Sequence, residues 1–288
     1  GLAELTLPLS LLGDLSAGDL LKFKLLVEPD GNQIPLAGPA QMLIPDLGGT
    51  AVFLEVQDPV GDDHGPGTYT YPNDPVFKDS VFDVQAFSVG TDSENLVINF
   101  NFVGPVENPW GSAIGLSLQT MDVYIDTDPG GGTGARKLLP GRNASLEEGF
   151  GWEYAIWAEG WTSQVVQSDP DTLEPKDYSE ASSSMKIVVD SNQNLVTIRV
   201  PLSFLPEGDP STWAYAAVVL SQEGYPAEGV WRVRDISLQS AQWVFGGSTG
   251  DVNHTRIIDL IWPEESDMNQ ADILGDYPSM TGSLDSLT

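Results

Sequence analysis

Residues 58–83, DPVGDDHGPGTYTYPNDPVFKDSVFD, hold five aspartates from Asp58 to Asp79, with Asp83 following, against a single basic residue, Lys78. Carboxylates gathered this densely either stay solvated or surround a cation. A hard cation such as calcium takes about six to eight oxygens from carboxylates and backbone carbonyls, and an acidic loop shaped by glycine and proline supplies both. Aspartates in such a loop also serve as turn formers, bonding their own backbone. A second acidic segment, YIDTDPGGGTG (124–134), carries Asp126 and Asp128 with one residue between them after a strand-like run. These two either chelate a hard cation together or close a glycine-rich hairpin. The segment is not an EF-hand loop, because the twelfth position, which needs a bidentate Glu, is Lys137. Gly130, Gly132 and Ala135 loosely match a dinucleotide fingerprint, but Pro140 and Gly141 deny it the helix it requires.

Other arrangements with catalytic potential are weaker. GGSTG (246–250) fits G-x-S-x-G, but a nucleophile elbow needs a helix next, and DVNHTRIIDLIW reads as strand. His254 lies nearby, yet the chain has two histidines in all, which leaves few ways to form a triad. His64 sits in the acidic loop, where a protonated imidazole offsets carboxylates. Zinc catalysis needs histidine clusters that this chain lacks. Paired carboxylates hydrolyse glycosides, but among 42 acidic residues any pair can be proposed. The expectation is a protein that is not an enzyme.

Eight tryptophans are a third chemical resource. Sugar C–H faces stack on exposed indoles, whereas indoles in β-proteins more often fill the core. In WEYAIWAEGW (152–161), strand alternation puts Trp157 and Trp161 on one face, with Glu153 or Glu159 near, and Trp152 on the other. Trp157 and Trp161 are therefore the glycan-binding candidates.

The elements that must position these residues are strands. Apolar runs of strand length occur at 51–56, 95–103, 121–126, 154–161, 184–190, 195–200, 213–220 and 256–262, separated by Gly, Pro, Asp and Asn. Such punctuation predicts an all-β antiparallel sandwich, with a single helical turn near 201–205. The 288 residues are 41% hydrophobic and 19% charged, enough for a packed core. Twelve Lys and Arg against 42 Asp and Glu give a net charge of −30, which disfavours nucleic acid and anionic membrane surfaces. No window of 18 uncharged apolar residues exists, so no membrane insertion is expected. The chain has no cysteine, which removes disulfides and thiolate sites. Gly1 is no initiator, so the expectation is a mature form after signal cleavage or a piece cut from a longer protein. Sequons stand at Asn143 and Asn253.

Residues 5–27 echo 196–219: each has an apolar strand, PLS with two bulky residues, an acidic Gly-Asp turn and a second apolar strand. A lone strand pair cannot bury its apolar face. Residues 1–45 are therefore expected to be the tail of a preceding sandwich or a segment that docks elsewhere, donating strands to another copy of the chain. Repeated head to tail, that contact builds an extracellular filament or surface layer. The sandwich itself is expected over 46–275, with a tail at 276–288.

From residue 51 onward the chain resembles the C-terminal module of glucodextranases and amylopullulanases, a DOMON-like sandwich related to family 9 carbohydrate-binding modules. The resemblance rests on EVQDPVGDDHGPGTYTYPNDPVF (55–77), NPWGSAIGLSLQTMDVYIDTDPGGG (108–132), LLPGRNA (138–144), WEYAIWAEGW (152–161) and RIIDLIWP (256–263). It implies a non-catalytic extracellular module on polysaccharide-degrading proteins, stabilised by calcium and binding polysaccharide or cell-surface glycan. It also implies Asp58, Asp62, Asp63 and Asp83 as the leading calcium ligands.

Overall fold

The computed structural model describes residues 50–276, together with the backbone of short strands on either side of them. The chain divides into two compact units, Gly1–Ala51 and Val52–Thr288. In the first, β1 (Leu20–Phe23) pairs antiparallel with β4 (Ala40–Leu43), and β2 (Leu25–Val27) with β3 (Asn32–Ile34). The expected strand donation by residues 1–45 concerns side chains and segments outside the described residues.

The second unit is a sandwich of two antiparallel sheets. Its strands are β5 (Ala51–Gln57), β6 (Val84–Thr91), β7 (Asn95–Phe102), β8 (Gln119–Asp126), β9 (Ala144–Leu146), β10 (Tyr154–Glu159), β11 (Ser163–Ser168), β12 (Pro175–Asp177), β13 (Lys186–Asp190), β14 (Leu195–Pro201), β15 (Ala214–Ser221), β16 (Asp259–Leu260) and β17 (Asp285–Leu287). One sheet runs β13-β14-β7-β6-β5 and the other β12-β11-β10-β8-β15-β16. β17 lies parallel to β9.

Period-two patterning builds the core between the sheets. In β7, Leu96, Ile98, Phe100 and Phe102 point inward, opposite Val200, Ile198 and Val196 of β14. β8 is buried at all of its positions. Met121, Val123 and Ile125 enter the inter-sheet core, whereas Tyr124 joins a second cluster with Trp152, Trp157, Leu220 and Leu274. That second cluster lies under the 135–146 loop and a short helix, α2 (Gln270–Gly275), so the six-stranded sheet is covered on both faces.

The all-β expectation holds, and a 3-10 turn at Leu202–Phe204 falls within 201–205 as expected. The segment echoed near the N-terminus crosses between sheets here, since β14 and β15 belong to different ones. The run at 256–262 is strand over Asp259–Leu260 alone. Its other backbone groups are dispersed among separate partners: Arg256 N–H donates to Arg142 O, Ile261 N–H to Ala217 O, and Trp262 N–H to Asp58 Oδ1. That dispersal brings Asp259 to the acidic loop. The apolar pattern does not mark β6 and β11, because Gln, Ser and Gly interrupt the first and Ser and Gln leave only two apolar residues in the second. α1 (Ser179–Ser184) was also missed; it is a single short turn-rich segment of serines.

Candidate functional sites: an aspartate cage and an aromatic pocket

β5 ends at Gln57, and the chain turns sharply through Val60–Asp63. Gly61 takes φ +89°, a left-handed conformation that glycine adopts without steric cost. Its N–H donates to Asp83 Oδ2 at 2.9 Å, joining the start of the loop to its end. Immediately after Asp83 the register of β6 against β7 shifts between Val84 and Ala86. A bulge of this kind re-aims neighbouring side chains, and here Val84 N–H donates to Asp259 Oδ2 at 2.8 Å. Gln270 on α2 fixes the loop from the other side, donating to the carbonyls of Asp62 and Gly65.

The result is a cage of carboxylates. Asp58, Asp62 and Asp259 present oxygens within 4.8 Å of one another. Asp58, Asp83 and Asp259 each spend one oxygen on a backbone N–H, from Trp262, Gly61 and Val84 respectively. The remaining oxygens, Asp58 Oδ2, Asp83 Oδ1 and Asp259 Oδ1, are buried without a hydrogen-bond partner, as is Asp62 Oδ1. Burial pushes Asp58 up to about 8, with repulsion from Asp62 and Asp83 adding to it. Burial and then Asp83 push Asp62 up to about 7, and burial and then Asp63 push Asp83 to about 6. Asp259, 0% exposed, is raised well above the usual range by burial and by Asp58. Carboxylate oxygens gathered without partners, as those of Asp58, Asp62 and Asp259 are, could hold a hard cation. Asp63 faces another way: it accepts the Tyr71 hydroxyl and lies 3.9 Å from the His64 imidazole.

The second acidic segment is built differently. Asp126, Asp128 and Glu153 also present oxygens within 4.8 Å. Asp126 accepts from Asp128 N–H at 3.0 Å and Gly151 N–H at 3.2 Å, and Glu153 accepts from Thr127 N–H at 2.8 Å. The Thr133 hydroxyl bridges Asp128 and Glu153 at 2.8 and 2.7 Å. Those bonds clasp the hairpin with its own donors.

The tryptophan candidates separate. Trp157 is 5% exposed, stacked on Trp231 at 5.3 Å beneath the Arg142 guanidinium, and offers no face to a ligand. Alternation placed it with Trp161, but β10 ends at Glu159, so the period-two rule stops before Trp161. The same limit explains why Trp152, which precedes β10, packs with Trp157 rather than opposite it. Trp161 is 44% exposed. A Cβ at Gly160 would meet Leu116 O at 2.2 Å, so glycine lets this turn approach the 108–117 loop. There Trp161 stacks on Trp110 at 6.4 Å and 29°, and Trp243 meets Trp110 edge-on at 6.1 Å. Together with Tyr225, Arg232 and Arg234, the three indoles line an open pocket of about 670 Å³. Phe77, buried, packs against Trp110 and Trp243 and on Phe82 and Phe245. Tyr71 packs on Phe82 and Phe245 as well, so aromatic contacts run from Asp63 through Phe77 to the indoles of the pocket.

The family described as the C-terminal, SLH-like binding module of glucodextranase matches residues 53–287. The chain belongs to that family. No curated protein matches it. A glucodextranase-type module of this kind is a binding module rather than a catalytic domain, and the G-x-S-x-G segment agrees in its geometry. His254 Nδ1 lies 2.6 Å from Asp251 O and Nε2 faces Asp235 at 3.8 Å, so neither nitrogen serves Ser248. Ser248 Oγ accepts from Gly250 N–H instead. Among the described residues no helix is long and apolar enough to cross a membrane. At the sequons, Asn143 Nδ2 donates to Val252 O and His254 O, and Thr255 of the Asn253 sequon is fully buried.

Asp259, Trp110, Trp243, Tyr225 and Arg232 were absent from the residues singled out by sequence. Two signals were present: an aspartate inside the apolar run RIIDLIW, and two of the chain's twelve basic residues together in WRVRD.

Proposed function

We propose that this chain is a non-catalytic extracellular module that binds polysaccharide or cell-surface glycan through the Trp110–Trp161–Trp243 pocket and is stabilised by Ca²⁺ in the aspartate cage. The observation that carries the binding reading is the pocket itself. Three indoles gathered at the surface of one compact unit, each more than a third exposed, form an apolar patch of the kind that marks a ligand site. Sugar rings offer the matching chemistry, with C–H faces for the indoles and hydroxyls for Arg232, Glu223 and Gln222 at the rim.

Calcium is supported by the donor set rather than by charge count. Asp58, Asp62, Asp83 and Asp259 would hold the ion through the oxygens that lack other partners, while Asp63, turned to Tyr71 and His64, would add its charge beside Asp83 rather than an oxygen. The ion would supply charge compensation and crosslink β5, the acidic loop, β6 and β16. At the second acidic segment Asp126 already accepts two backbone N–H groups and Asp128 the Thr133 hydroxyl, so the cage, with its unpartnered oxygens, is the preferred site.

Affinity electrophoresis in calcium buffer tests the function. An α-glucan or a cell-wall glycan should retard the protein, and Trp161→Ala should restore free migration; no retardation by any glycan refutes the reading.

A further inference from the structure

We infer that Arg232 sets the specificity of the aromatic pocket, presenting its two Nη groups to neighbouring hydroxyls of an uncharged sugar ring stacked on Trp161. The inference rests on the glycan reading above.

The two arginines of the pocket are in opposite situations. Arg234 is nearly buried and spent: Nε donates to Ser221 Oγ, Nη1 to Glu223 Oε2 and Trp243 O, and Nη2 to Gln222 O. Arg232 is 28% exposed and uses Nε alone, donating to Glu159 Oε1 at 2.8 Å. Its Nη groups have no hydrogen-bond partner among the described residues. The guanidinium carbon lies over the Trp161 ring at 5.9 Å from its centroid, so a sugar on the exposed part of that indole meets the fork. Glu159 holds both parts together, because its other oxygen accepts the Trp161 N–H at 3.1 Å.

The backbone supports a positioned role. Arg232 has φ +49°, a left-handed conformation uncommon for a residue with a side chain. The bond from Glu223 N–H to Arg232 O at 2.9 Å and that from Arg232 N–H to Val230 O at 3.1 Å hold it there.

Charge selects the ligand class. Arg232 is neutralised by the buried Glu159 and Arg234 by Glu223, so the pocket carries no surplus positive charge. Around it, a chain of net charge −30 repels anionic polymers. A neutral sugar incurs no such repulsion, and a planar fork with two outward Nη groups matches a pair of adjacent oxygens.

The test is calorimetric titration of the full chain in calcium buffer with isomalto-oligosaccharides, maltooligosaccharides and a soluble β-glucan, against oligogalacturonate as the carboxylated arm. A neutral sugar should bind with an affinity that is flat between about 0.02 and 0.5 M salt. Arg232→Lys, which keeps the charge and the link to Glu159 but loses the fork, should weaken it about tenfold. Arg232→Ala should weaken it at least as much but should also lower the melting temperature, because it leaves the buried Glu159 unpaired, whereas Arg232→Lys should melt close to the wild type. Unchanged affinity in Arg232→Lys, or a salt-sensitive preference for oligogalacturonate, overturns the inference and leaves the glycan reading intact. No binding of any sugar by the wild-type chain overturns both.

Discussion

Asp259 accepts the Val84 N–H at 2.8 Å with one carboxylate oxygen and turns the other, without a partner, toward Asp58 and Asp62. A two-residue strand on one sheet is thereby tied to the bulge that opens β6 on the other. The tie holds an anion that burial and its neighbours disfavour. The free protein therefore carries electrostatic stress that a bound cation would remove.

Asp259→Asn should separate those effects. Without calcium the variant should melt above the wild type, by roughly 2–4 °C for each kcal/mol of relieved repulsion. With calcium it should melt below, because a ligand oxygen is gone. Scanning calorimetry in chelator and in calcium checks the crossing.

The pH dependence has a defined sign. Asp58, Asp62 and Asp83 are raised to about 8, 7 and 6 in the folded state from 3.8. Between about pH 4 and 8 the folded protein thus binds more protons than the unfolded chain, so stability falls as pH rises. In chelator the melting temperature should decline across this window. In calcium the decline should shrink, since the ion replaces the protons, and calcium affinity should rise with pH over the same range.

Trp157 and Trp161 should part in a paired substitution. Trp157→Ala empties a buried stack and should cost about 3–5 kcal/mol in a urea melt. Trp161→Ala should leave stability within about 0.5 kcal/mol and weaken glycan binding by about tenfold or more.

Arg142 and Asp122 form an ion pair in which both side chains are fully buried, at 2.6 Å from Nε to Oδ2. Arg142 also donates to the carbonyls of Pro140 and Trp231, tying the 138–144 loop to the sheet. Arg142→Met should destabilise the module by about 3–5 kcal/mol, because Asp122 is left as an uncompensated buried charge. Adding Asp122→Asn should recover part of that loss, measured by urea unfolding.

The sheets were legible wherever apolar residues alternate without interruption, as in β7 and β14, since that pattern can bury only one face. The acidic loop was legible because density of charge is a local property. Asp259 was not: it meets Asp58 across a sequence separation of 201 residues, and a lone aspartate in an apolar run carries no local sign of its partners. The pocket was half legible for the same reason. Trp161 stood out in a tryptophan-rich run, but Trp110, Trp243 and Arg232 come from three further loops. Their meeting depends on the close approach at Gly160 and on Phe77, which packs against Trp110 and Trp243.

The central claim is that glycan binds at the Trp110–Trp161–Trp243 pocket. Hydrogen exchange with and without a saturating glycan, in calcium buffer, tests it most directly. The account predicts slowed exchange in the peptides that carry Trp110, Trp161 and residues 222–234. Binding that leaves these peptides unchanged and protects another surface would contradict it.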